Sequence, residues 1–244
     1  MPHDINPSPY LLDPQHWDVN LSGNIPSLVG EHLIYTAVAL AIGALIAMPI
    51  GLYIGHTGKF AFFAINVGNA GRSLPTLGLI ALLVTLIGLG LVPVMIALVV
   101  LVIPPILAAT YAGLRAVDLA AVDSAKGMGM RPLQILLAVE IPMAMPLIMS
   151  GLRSAALQVV SSATVAAYVG LGGLGRLLID GLALNDYDRV IAGAVMVAAL
   201  AIVLDLSAAG LQRLLVSPGV SGRALTRTSR KTHTSSGIHT GTAG

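Results

Sequence analysis

The 244-residue chain is 56% apolar and only 10% charged, with a mean hydropathy of +0.88. Soluble domains carry about 25% charged residues, so a soluble globular protein is excluded and an all-α integral membrane protein is expected. The absence of cysteine excludes a disulfide framework, a thiolate metal site and a cysteine nucleophile, and the net charge of +2 informs only through its placement.

Residues 1–30 are polar and proline-punctuated, with Asp4, Asp13 and Asp18 but no Lys or Arg. They lack the basic start and apolar core of a signal peptide. They read as an extracytoplasmic tail with a short interfacial piece around Tyr10 to Trp17. Leu33 to Ile54 carries no charge and is long enough to cross a hydrocarbon core of about 30 Å as a helix. Gly43, Ala47, Gly51 and Gly55 recur along it every four residues, a small-residue stripe that lets helix backbones approach closely. Gly55 to Arg72 reads as a loop whose Phe60, Phe62 and Phe63 lie at the interface. Ser73 to Leu114 is again free of charge. Its turn signal at Gly88-Leu-Gly90-Leu-Val-Pro93 splits it into two spans, about 73–89 and 93–112.

Asp118 to Pro142, DLAAVDSAKGMGMRPLQILLAVEIP, crowds charges, glycines and prolines between apolar stretches. Asp118 is placed to cap a short helix. Leu119, Val122 and Ala125 give that helix one apolar face, and Gly127 and Gly129 stop it. Arg131 precedes Pro132, which disfavours helix at Arg131 and opens a second helix at its first position. Helix, sharp turn and helix at a membrane surface make a docking element.

Residues 142–169 form a fourth span interrupted by Arg153, and 190–211 a fifth that carries Asp205. Gly170 to Asp188 is an amphipathic connection that opens with Gly170, Gly172, Gly173 and Gly175, a flexible bend at the outer end of span four. From residue 214 the chain is rich in Ser, Thr, Gly and Arg and reads as a disordered cytoplasmic tail. With the amino terminus outside, the inner side holds Lys59, Arg72, Arg115, Lys126, Arg131 and the basic residues of the carboxyl tail. The outer side then holds only Arg176 and Arg189. This bias sets the orientation, with the carboxyl terminus cytoplasmic.

A charge at mid-span needs a partner. Arg153 stands eleven residues in from Pro142 and Asp205 eight residues short of Arg213, roughly 16 Å and 12 Å from the same side. The two are therefore expected to face each other as an intramembrane charge pair, with Gln158 or Ser207 as candidates to share the network; the alternative is that Arg153 snorkels inward while Asp205 meets water in the cavity.

Other motifs carry no chemistry. Gly170-x-Gly172-x-x-Gly175 copies a dinucleotide fingerprint but follows a membrane span and lacks the βαβ unit. No Gly-x-x-x-x-Gly-Lys-Ser/Thr sequence occurs, and the six histidines show no metal-ligand spacing. No catalytic residue, metal site or cofactor is expected in this chain.

The Asp118–Pro142 stretch resembles the EAA loop of ABC importer permeases: Glu-Ala-Ala, three residues, Gly, nine residues, Ile-x-Leu-Pro. Here Asp123-Ser124-Ala125, Gly129 and Val139-Glu140-Ile141-Pro142 keep that spacing, with Asp for Glu, Ser for Ala, and Val and Ile for Ile and Leu. Arg72-Ser-Leu-Pro75-Thr76-Leu-Gly, Tyr111-Ala-Gly-Leu, Pro146-Leu-Ile-Met-Ser-Gly151-Leu-Arg153 and Gly170-Leu-Gly-Gly-Leu-Gly175 are similar to permeases for osmoprotectants. The resemblance covers about 31–213 and implies a type I ABC importer (MetI-like) permease domain of five transmembrane helices.

The resemblance also implies residue roles, partners and a solute class. Asp118, Asp123, Ser124, Ala125, Lys126, Gly127, Gly129 and Pro142 would form the ATPase-coupling loop. The partners would be a pair of ABC ATPase subunits that bind ATP, a second permease subunit (identical or paralogous), an extracytoplasmic substrate-binding protein and the bilayer of a bacterial cell membrane; no nucleic acid is involved. The solute would be glycine betaine, carnitine, choline or proline. A permease for methionine or another amino acid is the nearest alternative. A stand-alone secondary transporter or a membrane scaffold stands further off, since five spans show no internal repeat and few deep charges.

Overall fold

The structure, a computed structural model, describes residues 8–73, 75–170 and 172–215. These residues are helices and turns, with no strand among them. A short α1 (Ser8–Leu12) and a 3₁₀ turn (Pro14–Trp17) precede α2 (Ile25–Thr57), α3 (Ala61–Ser73), α4 (Thr76–Ile87) and α5 (Leu91–Arg115). Next come α6 (Leu119–Gly127), α7 (Pro132–Ile135), a π-turn (Leu136–Glu140) and α8 (Ile141–Ala166). A 3₁₀ turn (Ala167–Val169), α9 (Gly175–Leu184) and α10 (Tyr187–Leu215) complete the order.

The core forms around α5, against which α2, α3, α4 and α8 all pack. Glycine sets the closeness. A Cβ at Gly43 would stand 2.1 Å from Val102 Cγ2, one at Gly51 2.8 Å from Thr110 Cβ, and one at Gly55 2.7 Å from Leu114 Cβ. With Ala47 fully buried between them, the stripe on α2 is the α2–α5 contact, and a side chain there would overpack it. The contacts advance together along both helices, so α2 and α5 run parallel. The chain leaving α2 must therefore return across the bilayer before α5 begins.

It returns through α3 and α4, which are bent by 96° relative to each other. At 13 and 12 residues, each is only about 18–20 Å long, short of a hydrocarbon core. Together they make the second crossing, a broken one. This corrects two expectations: the segment read as a loop over 55–72 is largely helical, and 73–89 is not a continuous span. Gly71 seats against Pro104, whose Cβ would lie 2.2 Å from an added one.

Four helices, residues 25–57, 91–115, 132–169 and 187–214, are each long and apolar enough to cross alone. The first starts eight residues before the expected Leu33. α8 runs antiparallel to α5: Gly113 meets Ala144, and Gly151 meets Ala109. α10 in turn runs antiparallel to α8. One end of the bundle thus gathers the ends of α2, α5 and α10 with the 118–140 segment, and the other gathers the start of α2, the 170–175 bend and α9.

The described part of the amino-terminal region forms a short folded piece. Trp17 Nε1 donates to the Leu11 carbonyl at 2.7 Å, and the rings of Tyr10 and His16 stack at 3.9 Å. Tyr10 and Leu11 pack on Ile25, Leu28, Leu174 and Leu177. Burial there raises the Tyr10 pKa above its usual value, while the charge of Arg189 pulls the other way. The carboxyl tail expected to be disordered lies outside the described residues.

Candidate functional site

The 118–142 segment folds for local reasons. Asp118 Oδ1 accepts the Ala120 N–H at 2.9 Å, which satisfies an orphan donor at the start of α6. At the other end the Gly129 N–H bonds Lys126 O at 2.9 Å and the Met130 N–H bonds Ala125 O at 3.2 Å. This pair of bonds is the Schellman arrangement, with Gly129 left-handed at φ +81. Gly127 sits inside α6 and takes no left-handed conformation, so the stop belongs to Gly129 alone. After Arg131, Pro132 opens α7, and the Arg131 N–H is held by Gln134 Oε1 at 2.8 Å.

Val122 and Ala125 are buried and pack with Leu114, Val117, Ile135, Ala144 and Ile148. Leu119, expected on the same face, is instead 72% exposed. With Met128 and Leu133, also exposed, it gives the segment an outward apolar surface. Asp123 and Lys126 pair beside it at 3.0 Å and are themselves exposed. Ser124 Oγ caps back onto Ala120 O at 2.7 Å, and Pro142 stands in the first turn of α8.

A second tie lies at the root of the segment. His56 Nδ1 is 2.6 Å from Glu140 Oε2, joining the last turn of α2 to the π-turn. Glu140 is only 8% exposed. Both line a cavity of about 460 Å³ shared with Arg115, Lys126 and Met130. π-turns are rare and recur at functional sites. Sequence reading passed over this pair, because His56 and Glu140 are 84 positions apart and neither belongs to a ligand pattern.

At the edge of the bundle, Arg153 Nε and Nη2 donate to the two carboxylate oxygens of Asp205, a bidentate pair between α8 and α10. The suggested sharers take no part. Ser207 Oγ bonds Val203 O of its own helix, and Gln158 lines a separate cavity of about 640 Å³ with Gly71, Pro104, Ser150 and Ser154.

At the opposite end, Gly170 (φ +83) and Gly173 (φ +84) take left-handed backbones in the expected bend. The bend closes on Glu31: Gly173 N–H donates to Glu31 Oε2 at 2.8 Å, and a Cβ at Gly172 would lie 1.8 Å from that oxygen. His32, fully buried, bonds the Val160 carbonyl through Nε2 at 3.0 Å. Because a carbonyl only accepts, Nε2 carries the proton. Gly175 begins α9, where an added Cβ would meet Thr164 O at 2.2 Å. Glu31 and His32 were missed by sequence reading, since two polar residues before an apolar run look like a solvated helix start.

Residues 31–217 match the family described as binding-protein-dependent transport system inner membrane component. The chain is 37% identical over 190 residues to the choline transport system permease protein OpuBB of Bacillus subtilis, covering 78% of this chain and 88% of that one. It is 36% identical over 200 residues to the glycine betaine/carnitine/choline transport system permease protein OpuCB of the same organism, covering 82% and 92%. Among solved structures, an inward-facing MetNI methionine ABC transporter chain superposes with a TM-score of 0.71 at 21% identity, over 84% of this chain and 99% of that one. An amino acid ABC transporter crystallised with histidines gives a TM-score of 0.63 at 21% identity, covering 88% and 98%.

Proposed function

The chain belongs to the family of binding-protein-dependent transport system inner membrane components, and on that premise we propose that it passes osmoprotectant solutes of the glycine betaine, carnitine and choline class through an ATP-driven importer. It is a multi-pass membrane permease subunit of an ABC importer. The relatives whose names specify choline, glycine betaine or carnitine share 31–37% of their residues with it. The methionine transporter shares 21%, which speaks for the fold alone. This difference favours osmoprotectants over methionine.

The observation that carries the coupling role is the 118–135 surface. A short helix, capped at both ends and backed by buried Val122 and Ala125, turns Leu119, Asp123 and its cap residue Met128 outward, and α7 adds Leu133. An apolar surface beside charges is what a separate subunit can cover. In this reading an ATPase subunit seats on that surface and binds the ATP, and a second permease subunit completes the passage. An extracytoplasmic binding protein delivers solute at the α9 end, with the amino terminus outside. The test is ATP-dependent uptake of glycine betaine, carnitine, choline and methionine into proteoliposomes that hold the full complex. Uptake of methionine but none of the three quaternary ammonium solutes would overturn the assignment.

A further inference from the structure

Between the start of α2 and the α9–α10 corner lies a cavity of about 430 Å³, within the size range of small-molecule sites. Its two walls differ in charge. One is the α2 face Leu28, Glu31, Tyr35, which presents a carboxylate beside a phenol ring. The other is Arg176 and Asp180 of α9 with Arg189 of α10. Asp180 Oδ2 serves both guanidinium groups, Arg176 Nε at 3.3 Å and Arg189 Nη2 at 3.0 Å. Two cations against one carboxylate leave the lining of that wall with one net positive charge. Asp186, which accepts the Arg189 backbone N–H, and Asp188 stand outside the lining.

Each wall keeps unused capacity. Glu31 accepts one hydrogen bond, through Oε2, from the Gly173 N–H. Its Oε1 has no donor among the described residues. Among the described residues Arg176 engages Asp180 through Nε alone, which leaves its Nη groups for an incoming anion. Arg189 Nε is buried and has no hydrogen-bond partner among the described residues.

We propose that this cavity is a solute site for small zwitterions that carry a quaternary ammonium and a carboxylate, resting on the osmoprotectant reading above. A quaternary ammonium has no N–H to donate, so it seeks negative charge and an aromatic face; Glu31 and Tyr35 supply both. The carboxylate meets Arg176, whose planar fork suits a bidentate oxygen pair. Choline has the cation without the carboxylate and uses only the α2 wall. The site therefore prefers glycine betaine and carnitine over choline. Because Glu31 also holds the Gly172–Gly173 bend, the solute binds against that bend.

The test uses the permease–ATPase complex in nanodiscs without binding protein, with equilibrium binding of labelled glycine betaine competed by choline. Glu31→Gln keeps an acceptor for the Gly173 N–H and removes only the charge. Arg176→Gln leaves the Asp180–Arg189 pair in place. Loss of one charge-assisted contact weakens glycine betaine on the order of tenfold in each variant. Choline weakens in Glu31→Gln but is unchanged in Arg176→Gln, so the second variant loses the discrimination. Undetectable glycine betaine binding to wild type, equal wild-type affinity for the two solutes, or unchanged affinities in both variants would each overturn the site. If those results came from a complex that still imports glycine betaine when its binding protein is added, the site would fall and the transport reading would stand. Glu31-dependent binding in a complex that imports no osmolyte would support the site and remove the transport reading.

Discussion

His56 and Glu140 meet at 2.6 Å where the first long helix ends and the docking segment rejoins the bundle. Around them, Gly55 presses on Leu114, while Met48 and Leu52 of α2 pack on the cluster that buries Val122 and Ala125. The foot of α2, the end of α5 and the docking helix thus form one packed block, with the His–Glu contact as its polar tie. α6 and α8 both contribute to this block, through Val122 and Ala125 on one side and Ala144 and Ile148 on the other.

His56→Ala leaves a nearly buried carboxylate without its partner, at a cost of about 1–3 kcal/mol. His56→Asn, whose amide nitrogen can stand near the lost Nδ1, is expected to recover most of that cost; His56→Gln is expected not to. The effect specific to coupling is the ATP hydrolysed per solute imported, which rises in His56→Ala and returns in His56→Asn. Thermal loss of folded complex with an unchanged coupling ratio would reduce the pair to a purely structural tie.

The docking surface makes a separate prediction. A Cβ at Gly129 would meet nothing within 4 Å, so the constraint there is the left-handed backbone and not space. Gly129→Ala should cost about 1–2 kcal/mol locally, and Gly129→Val more. Leu119→Glu and Asp123→Lys alter only exposed side chains. They should leave membrane insertion intact and weaken ATPase retention on affinity purification by at least about tenfold. Wild-type retention by both surface variants would place the ATPase contact elsewhere.

Orientation can be read directly, because the chain has no cysteine. Single cysteines at Ser22 and Ser124 mark opposite ends of the bundle. An impermeant thiol reagent added to intact cells should label position 22 and reach position 124 only after permeabilisation. The reverse pattern would invert the topology and put the Glu31 cavity inside.

The sequence showed what local physics controls. The cap at Asp118, the turn at Gly129 and the helix start at Pro132 each depend on residues within one or two turns, the close-packing stripe on α2 follows from a four-residue repeat, and the structure contains all of them. The broken second crossing was hidden because hydropathy averages over residues 73–89 and cannot see the 96° break between α3 and α4. Leu119 misled for a related reason. Period alone put it with Val122 and Ala125, but it opens α6 one turn before the helix reaches the core it leans on. His32, Glu31, His56 and Glu140 were illegible because their partners come from distant helices, and no spacing rule links residues 128 or 142 positions apart.

The Arg153–Asp205 pair is a long-range contact whose depth could be read, and a second contact shows why. Gln212 Nε2 donates to the Pro146 carbonyl at 3.3 Å, and 146 plus 212 equals 153 plus 205. Both contacts lie on one antiparallel register between α8 and α10, so matched depth from the same membrane face was enough to pair the residues. Both side chains are partly exposed at the edge of the bundle, so what matters is the loss of one partner in a setting that disfavours lone charge. Arg153→Met and Asp205→Asn should each lower the yield of folded complex. The double replacement and the exchange Arg153→Asp with Asp205→Arg should each regain at least about half of what the worse single variant loses, a clear coupling in the double-mutant cycle. Additive losses across that cycle would mean the two charges contribute independently, and the pairing would then play no part in holding α10 to α8.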